Sequence, residues 1–325
     1  MLKAVSTVFM VFFYAMPGLA ESRIGVRTIA ATDGDALRHL SLSVWYPAKD
    51  GGSLEDVGGN AVFVGQPAYR DAAMAAGPFP LLLLSHGGLR SATDSGAWLS
   101  GRLAEKGFVV VEVNSPRPDS AAIAVNAIWQ RPQDVSHALD RVLQDQALSA
   151  VIDPARIAVT GHALGGTAAL ALTGGSFDAD AFASTCAADA DGPDCAWYTA
   201  QGVSLADVDR EMLERAHRDP RISTAIAIDP EYADVFLAPS LKDRGADIQV
   251  IWLSAPDHPQ FADTGLSQTV IATATGYDAF PLCTPKGKYI LAEEGGDAAL
   301  CDGDAAGRAR IHDEIAGRLG AALDR

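Results

Sequence analysis

The stretch that decides the fold is Arg156-Ile157-Ala158-Val159-Thr160-Gly161-His162-Ala163-Leu164-Gly165-Gly166, which continues into Thr167-Ala168-Ala169-Leu170. An apolar run rich in β-branched residues predicts a buried strand, and the small-residue segment after it predicts a helix. Glycines on both sides of Ala163 permit a tight turn between the two elements. The stretch therefore predicts a strand, a sharp turn and a helix.

Strand and helix patterns alternate on both sides of this turn. Helices are predicted at 95–106, around 135–143 and over the final apolar stripe that ends at Leu323. Parallel strands joined by helical crossovers form a sheet with helices on both faces, so the chain is predicted to be an α/β protein with a mostly parallel central sheet. The strands are predicted at 24–30 and 39–46, which open the chain as a hairpin, and at 80–84, 108–113, 225–228, 248–253 and 288–291.

One segment interrupts the alternation. Residues 174–219 are rich in Gly, Asp and Ala and contain Cys186 and Cys195, and we interpret them as an inserted, disulfide-bearing lid. No internal repeat and no Pro- or Ser-rich linker divides the rest. Residues 21–325 are therefore expected to form a single domain with this lid insertion.

The first twenty residues are predicted to be a secretory signal peptide. Lys3 precedes an apolar stretch at 4–15, and the small residues of Pro17-Gly18-Leu19-Ala20 precede a plausible cleavage site. A membrane anchor needs about 17–25 apolar residues, which is longer than this run. We expect an exported protein, periplasmic or extracellular, without stable membrane insertion.

The charge balance excludes one class of partner. The 325 residues contain 25 Lys and Arg against 41 Asp and Glu, a formal net charge of −16. Nucleic-acid binding depends on basic side chains that neutralise phosphates, so no nucleic-acid partner is expected. A hydrophobic fraction of 48% is that of a globular protein. An enzyme or a ligand-binding domain remains.

The four cysteines are expected to form two disulfides. An even number in an exported chain favours bridges, although the sequence alone allows three pairings. Proximity in sequence favours Cys186 with Cys195 and Cys283 with Cys301. Free thiols are the alternative. No CxxC motif or zinc-like Cys/His spacing occurs, so no metal is expected.

The turn around Ala163 has the shape of a nucleophile elbow, in which the middle residue projects above the sheet. That residue is Ala163, where a hydrolase of this type needs Ser. A methyl group cannot attack a carbonyl carbon or form an acyl-enzyme. The sequence thus predicts the frame of a catalytic site without its nucleophile.

Motifs distributed over most of the chain match one protein family. They are Val44-Trp45-Tyr46-Pro47, Ser85-His86-Gly87-Gly88, Arg131-Pro132-Gln133-Asp134, Asp153-Pro154-Ala155-Arg156-Ile157, the elbow, the insert from Cys186 to Cys195, and Ala227-Ile228-Asp229-Pro230. On these motifs the chain resembles the secreted, dienelactone-hydrolase-related branch of the α/β-hydrolases, close to the platelet-activating-factor acetylhydrolases and lipases. The resemblance implies the α/β-hydrolase fold and carboxylester or lactone hydrolysis by a Ser-His-Asp triad without a cofactor.

The resemblance also implies positions for the other two triad residues. The family's histidine follows the last strand in a segment like Ala-Gly-His-Phe-x-Phe-x-x-x-Cys. Aligning Ala292 and Cys301 with this pattern puts Glu294 in the place of the histidine. The acid is expected at Asp229, after the sixth strand, with Asp257 as the alternative. The triad is therefore predicted to be degenerate at two positions.

The oxyanion hole is expected to be better preserved. In such folds one N–H donor comes from the loop after an early strand and the other from the residue that follows the nucleophile. The loop is His86-Gly87-Gly88, so Gly88 and Leu164 are the predicted donors. The alternative is that these glycines only let the loop pass close to the elbow.

Two functions follow from these predictions. The first is a catalytically inactive or very weak homologue that binds a small, neutral or weakly polar ligand, such as an ester, lactone or lipid fragment, or a protein partner. The alternative is an active carboxylester or lactone hydrolase with rearranged groups, such as His258 or Glu294 activating water. A cationic head group or an ion between Asp229 and Glu294 is a further possibility.

Overall fold

The computed structural model describes residues 23–32, 38–242, 246–255, 258, 261–262 and 264–324. The predicted signal peptide at 1–20 and the alternative acid Asp257 lie outside the described residues.

A ten-stranded mixed sheet forms the centre of the protein. Its spatial order is β10-β9-β8-β7-β5-β6-β2-β1-β4-β3. The six neighbouring strands β10, β9, β8, β7, β5 and β6 run parallel, whereas β2 pairs antiparallel with both β1 and β6. The strands are β1 Arg23–Thr32, β2 His39–Ala48, β3 Ser53–Val57, β4 Gln66–Arg70, β5 Phe79–Ser85, β6 Val109–Asn114, β7 Ile152–His162, β8 Thr224–Ile228, β9 Asp247–Trp252 and β10 Ser267–Val270.

Helices cover both faces of this sheet. The core of one face joins Leu81 and Leu83 of β5 to residues of α3 and α5, and the other joins Leu82 and Leu84 to residues of α1 and α10. Neighbouring side chains of a strand point to opposite faces, which explains the unbroken apolar run. The helices are α1 Ala97–Glu105, α2 Ala121–Ala124, α3 Ala127–Gln144, α4 Gln146–Ser149, α5 Leu164–Leu172, α6 Ala179–Ala188, α7 Cys195–Ala200, α8 Arg210–Glu214, α9 Gly287–Glu293 and α10 Ala305–Leu323. The predicted α/β architecture is confirmed.

One predicted strand was wrong. Residues 288–291 belong to the surface helix α9, in which only Gly287 is buried and Tyr289 is 68% exposed. The last strand is instead β10, which pairs parallel with β9 at the edge of the sheet. All four β10 residues are exposed, so this strand lacks the apolar pattern that the sequence analysis relied on.

Both local disulfides are confirmed. Cys186 pairs with Cys195 and Cys283 with Cys301, and no cysteine of the chain is left free. The first bridge joins α6 to α7 within segment 174–219, which also contains α8. The role of this segment as a lid stays a prediction. None of the helices in the described part of the chain combines the length and the apolar character that a membrane span requires.

The packing around Gly165 gives a prediction about stability. A Cβ atom at Gly165 would lie 1.8 Å from the backbone oxygen of Ser85, so the strand itself would have to shift. We expect Gly165→Ala to lower the free energy of unfolding by about 3 kcal/mol, measured by urea denaturation.

Gly317→Ala is the matched control, because Gly317 is exposed within α10 and a Cβ there meets nothing within 4 Å. This variant should gain about 0.5–1 kcal/mol from helix propensity. Equal stabilities for the two variants would contradict the packing described here.

Candidate functional site

The turn between β7 and α5 places Ala163 at the predicted apex. Its backbone has φ 56° and ψ −124°, a conformation that costs free energy for any residue except glycine. The turn is fixed from both sides: Ala163 N–H donates to the carbonyl of Ile228, and its own carbonyl accepts from Gly166. Ala163 is 5% exposed and borders a cavity. The strained geometry of an elbow is therefore present with a methyl group at its apex.

Two glycines make this turn possible. A Cβ at Gly161 would lie 2.3 Å from the carbonyl carbon of Gly165, and one at Gly165 would meet the carbonyl oxygen of Ser85 at 1.8 Å. These distances are shorter than any van der Waals contact, so α5 packs against β5 and β7 only where side chains are missing. The elbow glycines of the sequence analysis have a steric role.

The cavity above the apex has a volume of about 680 Å³. Its floor contains Ala163, His162, Asp229 and Glu231. Apolar side chains form much of its wall: Val62, Phe63, Leu89, Phe280, Leu291 and Leu300. A largely apolar cavity of this size with a few polar groups is typical of a small-molecule site.

The predicted oxyanion loop lies beside the apex, and hydrogen bonds to other segments of the chain hold it in place. His86 bonds through Nε2 to the carbonyl of Ala279 at 2.8 Å and through Nδ1 to Ser95 Oγ at 3.0 Å. Burial lowers the pKa of His86 to about 4, so its imidazole is neutral. The Arg131 guanidinium donates to the carbonyl of Gly88 at 3.3 Å. The loop is therefore a rigid part of the floor.

A residue that no sequence motif marks lies at the centre of this site. Glu231 lies two residues beyond Asp229 and lines the cavity, and the nearby backbone N–H of Leu164 acts to lower the pKa of its carboxyl group. A Cβ at Gly88 would lie 3.1 Å from Oε1 of Glu231. The Glu231 backbone N–H also donates to the carbonyl of Ala163, at 3.2 Å. The carboxyl group thus lies beside the predicted oxyanion loop, and its backbone is fixed to the elbow.

Burial is the main influence on the charge of Glu231. It raises the pKa of this carboxyl group to about 8, with Asp194 and Asp229 acting in the same direction and Arg131 opposing them. Oε2 is buried and has no hydrogen-bond partner among the described residues. Glu231 is therefore mostly protonated at neutral pH, and its charge is sensitive to whatever enters the cavity.

Asp229 follows β8, as expected for the acid of the family. Its N–H donates to the carbonyl of Ile251, and its Oδ1 accepts from Leu253 N–H at 3.2 Å. Burial raises the pKa of this carboxyl group. A Cβ at Gly276 would lie 3.1 Å from Oδ2 of Asp229. The residue that faces the free oxygen of Asp229 is thus a glycine.

The placement of Glu294 in the histidine's position is corrected by this geometry. Glu294 is exposed at the end of α9 and does not line the cavity. The alignment depended on a strand at 288–291, and that segment is helical. Aligned on Ala274 and Cys283 instead, the segment after β10 has the length of the pattern and puts Gly276, which faces Asp229, at the position of the histidine.

Two other imidazoles lie near the elbow. His162 is 3% exposed, and its Nδ1 has no hydrogen-bond partner among the described residues. Burial lowers the pKa of His162 well below its usual range. His258 stacks on Trp252 and lies 3.1 Å from Asp234, and it does not line the cavity. Neither occupies the position beside Asp229 that Gly276 holds.

The described residues contain no group of three or more His, Cys, Asp or Glu side chains arranged to hold a metal ion.

Comparison with known proteins gives partial sequence matches and a complete structural one. No known family profile matches the chain. It is 36% identical over 89 residues to Lipase 1 of Moraxella sp. (strain TA144) and 40% identical over 92 residues to Cutinase est2 of Thermobifida alba. A third match, to Cutinase cut1 of Thermobifida fusca, is 38% identical over 82 residues. These matches cover 23–26% of this chain, and the chain spans about a quarter of the length of each relative.

Among solved structures, the ferulic acid esterase from Streptomyces cinnamoneus superposes with a TM-score of 0.61 at 17% identity. The superposition covers 96% of this chain and 92% of that one. With its mostly parallel sheet and helices on both faces, the chain therefore has the α/β-hydrolase fold. Its partial sequence relatives are a lipase and two cutinases.

The raised pKa of Glu231 predicts a dependence of stability on pH. Between its ordinary value of 4.5 and about 8, the folded protein holds a proton that the unfolded chain has lost. The stability that Glu231 contributes therefore falls as pH rises through this window, by at most about 1.4 kcal/mol per pH unit.

Glu231→Gln removes this titration, whereas the buried histidines, which act in the opposite direction below about pH 6.5, remain in both proteins. Urea unfolding at pH 5.5, 6.5 and 7.5 should show the stability of the wild type falling relative to the variant at each step. Parallel profiles for the two proteins would contradict the burial of this carboxyl group.

Proposed function

We propose that this protein is a non-hydrolytic member of the esterase fold, which binds a small, largely apolar ligand in the cavity above Ala163 and releases it unchanged. The single observation that carries the proposal is the methyl group at the apex of an otherwise complete elbow. A hydrolase needs an oxygen nucleophile at that point.

Two further features support the proposal. The position facing Asp229 holds Gly276, so no imidazole is available there to accept a proton. The carboxyl group of Glu231 lies close to Gly88 and is influenced by the N–H of Leu164, the two predicted oxyanion donors. The nucleophile and the expected base are absent, and an acidic side chain lies at the predicted oxyanion site.

The size of these losses makes residual triad chemistry negligible. Removal of the nucleophile or the histidine from a serine hydrolase costs a factor of about 2 × 10⁶ in kcat. Starting from a typical kcat of about 10 s⁻¹, the remaining rate is about 5 × 10⁻⁶ s⁻¹, or roughly two days per turnover. Binding, which needs only the cavity and its walls, is unaffected by these losses.

Export from the cytoplasm is part of the proposal. Two disulfides are typical of proteins that fold in an oxidising compartment. The charged and apolar pattern of residues 1–20 is that of a signal peptide.

One observation favours a second function. A buried carboxyl group with a pKa of about 8, beside the elbow, has the properties of a general base that activates water directly. In this alternative Glu231 takes the role that the sequence analysis gave to Glu294, and the protein hydrolyses carboxylesters or lactones without an acyl-enzyme.

Reconstruction of the triad tests the proposal. The backbone of Gly276 does not need a positive φ, and a His side chain there would begin 3.1 Å from Asp229 Oδ2. Ala163→Ser with Gly276→His should still show little activity, because the carboxyl group of Glu231 lies at the predicted oxyanion site. Addition of Glu231→Ala should clear this site and raise p-nitrophenyl acetate turnover at least about 100-fold over the double variant.

The control is Ala163→Ser with Glu231→Ala, which has the nucleophile and the open hole but no base, and it should stay at background. The wild type should hydrolyse the ester no faster than its heat-denatured sample. Wild-type turnover that disappears in Glu231→Gln would contradict the proposal and establish the alternative.

A further inference from the structure

We infer that the cavity binds a protonated primary amine carried on an apolar body, with its ammonium group against Glu231, Asp229 and His162. The inference rests on the proposed function and names the class of ligand that the binding site takes. Its basis is that two polar atoms of the floor, Nδ1 of His162 and Oε2 of Glu231, are buried without hydrogen-bond partners among the described residues.

Two polar atoms of the floor are buried without hydrogen-bond partners. Burial keeps the His162 ring neutral by holding its pKa well below the usual range, and Nδ1 of this ring has no partner among the described residues. Oε2 of Glu231 is also buried without a hydrogen-bond partner among the described residues. Unpaired buried polar atoms are costly, so a ligand that supplies donors to them gains affinity.

Acidic side chains outnumber basic ones around the cavity. Four carboxyl groups line it against two guanidinium groups. The four acids are Asp194, Asp229, Glu231 and Asp297, and the two basic residues are Arg90 and Arg117.

Two of these acids already form an ion pair or hydrogen bonds within the protein. Asp194 pairs with Arg90 at 3.1 Å, and Asp297 accepts from the Tyr277 hydroxyl and from Ala299 N–H. On the floor, Asp229 accepts through Oδ1 only, from Leu253 N–H, and Oε2 of Glu231 has no partner in the part of the chain that the structure describes.

The positive charge of Arg131 does not remove the preference of the cavity for a cation. Its guanidinium lies behind the oxyanion loop, donates to the carbonyl of Gly88, and is influenced by both Asp134 and Glu231. It lowers the pKa of Glu231 less than burial raises it. An ammonium group has three N–H donors, which matches the three acceptors of Glu231, Asp229 and His162.

The proposed position of the ammonium group determines which groups keep and which lose a proton on binding. The ligand keeps its ammonium protons, and Glu231 ionises on binding and gives its proton to the buffer. Affinity should therefore rise by up to tenfold per pH unit below about pH 8 and level off above it.

Isothermal titration calorimetry of the full-length protein tests the inference, with n-hexylammonium as probe and n-hexanol and n-hexanoate as chain-length controls. At pH 7.5 the ammonium should bind at least 10-fold more tightly than hexanol, and hexanoate should bind most weakly. Titrations in two buffers of different ionisation enthalpy should show up to one proton released per ammonium bound. Repeats at pH 6.5 and 8.5 should show the rise and plateau in affinity.

Two variants separate charge from shape. Glu231→Gln keeps the size of the side chain and should lose the 10-fold preference, the proton release and the pH dependence together. Asp297→Asn removes a carboxylate from the same cavity that Tyr277 and Ala299 already engage, and it should keep all three.

Failure of the inference and failure of the proposed function have different signatures. If hexanol or hexanoate binds as tightly as hexylammonium, if hexylammonium does not bind, or if Glu231→Gln behaves as the wild type, the ammonium inference is overturned. The proposed function fails only if the wild type hydrolyses an ester above its denatured control, whichever probe binds.

Discussion

The structure depends on one close contact, that of Gly165 in α5 against the carbonyl of Ser85 at the end of β5. It brings the helix onto the sheet at a distance that no side chain allows. The chain can reach this helix only through a tight turn, so Ala163 adopts a positive φ and borders the cavity. The same contact fixes the His86-Gly87-Gly88 loop beside the helix N-terminus. The elbow geometry therefore follows from backbone packing and does not require a reactive side chain.

Retention of this geometry explains why Glu231 lies where it does. In a hydrolase, the loop after an early strand and the residue after the nucleophile stabilise an oxyanion. Here the backbone N–H of Glu231 donates to the carbonyl of Ala163, and the carboxyl group of Glu231 lies close to Gly88 of that loop. An acid of the protein itself therefore lies beside the predicted oxyanion loop. The floor of the cavity becomes rich in acceptors.

The sequence predicted the buried parts of the fold well, because the apolar residues of strands such as β5 and β7 indicate that these strands are buried. Both disulfides and the elbow were also predictable. The edge strand β10 was not predictable, since its residues are polar and exposed. Because β10 was missed, the expected histidine position was assigned to Glu294, whereas the residue that faces Asp229 is Gly276. Glu231 was missed because an acid after a strand has no signature. Only the fold reveals that its carboxyl group lies close to Gly88.

The most direct test of the account is intact-protein mass spectrometry after incubation with a fluorophosphonate ester, which labels activated hydroxyl groups covalently. The account predicts no adduct on the wild type and one adduct per chain, at residue 163, on the variant that combines Ala163→Ser, Gly276→His and Glu231→Ala. An adduct on the wild type that maps to a cavity hydroxyl, such as Ser91, Ser95 or Thr275, would show a hidden nucleophile and contradict the account.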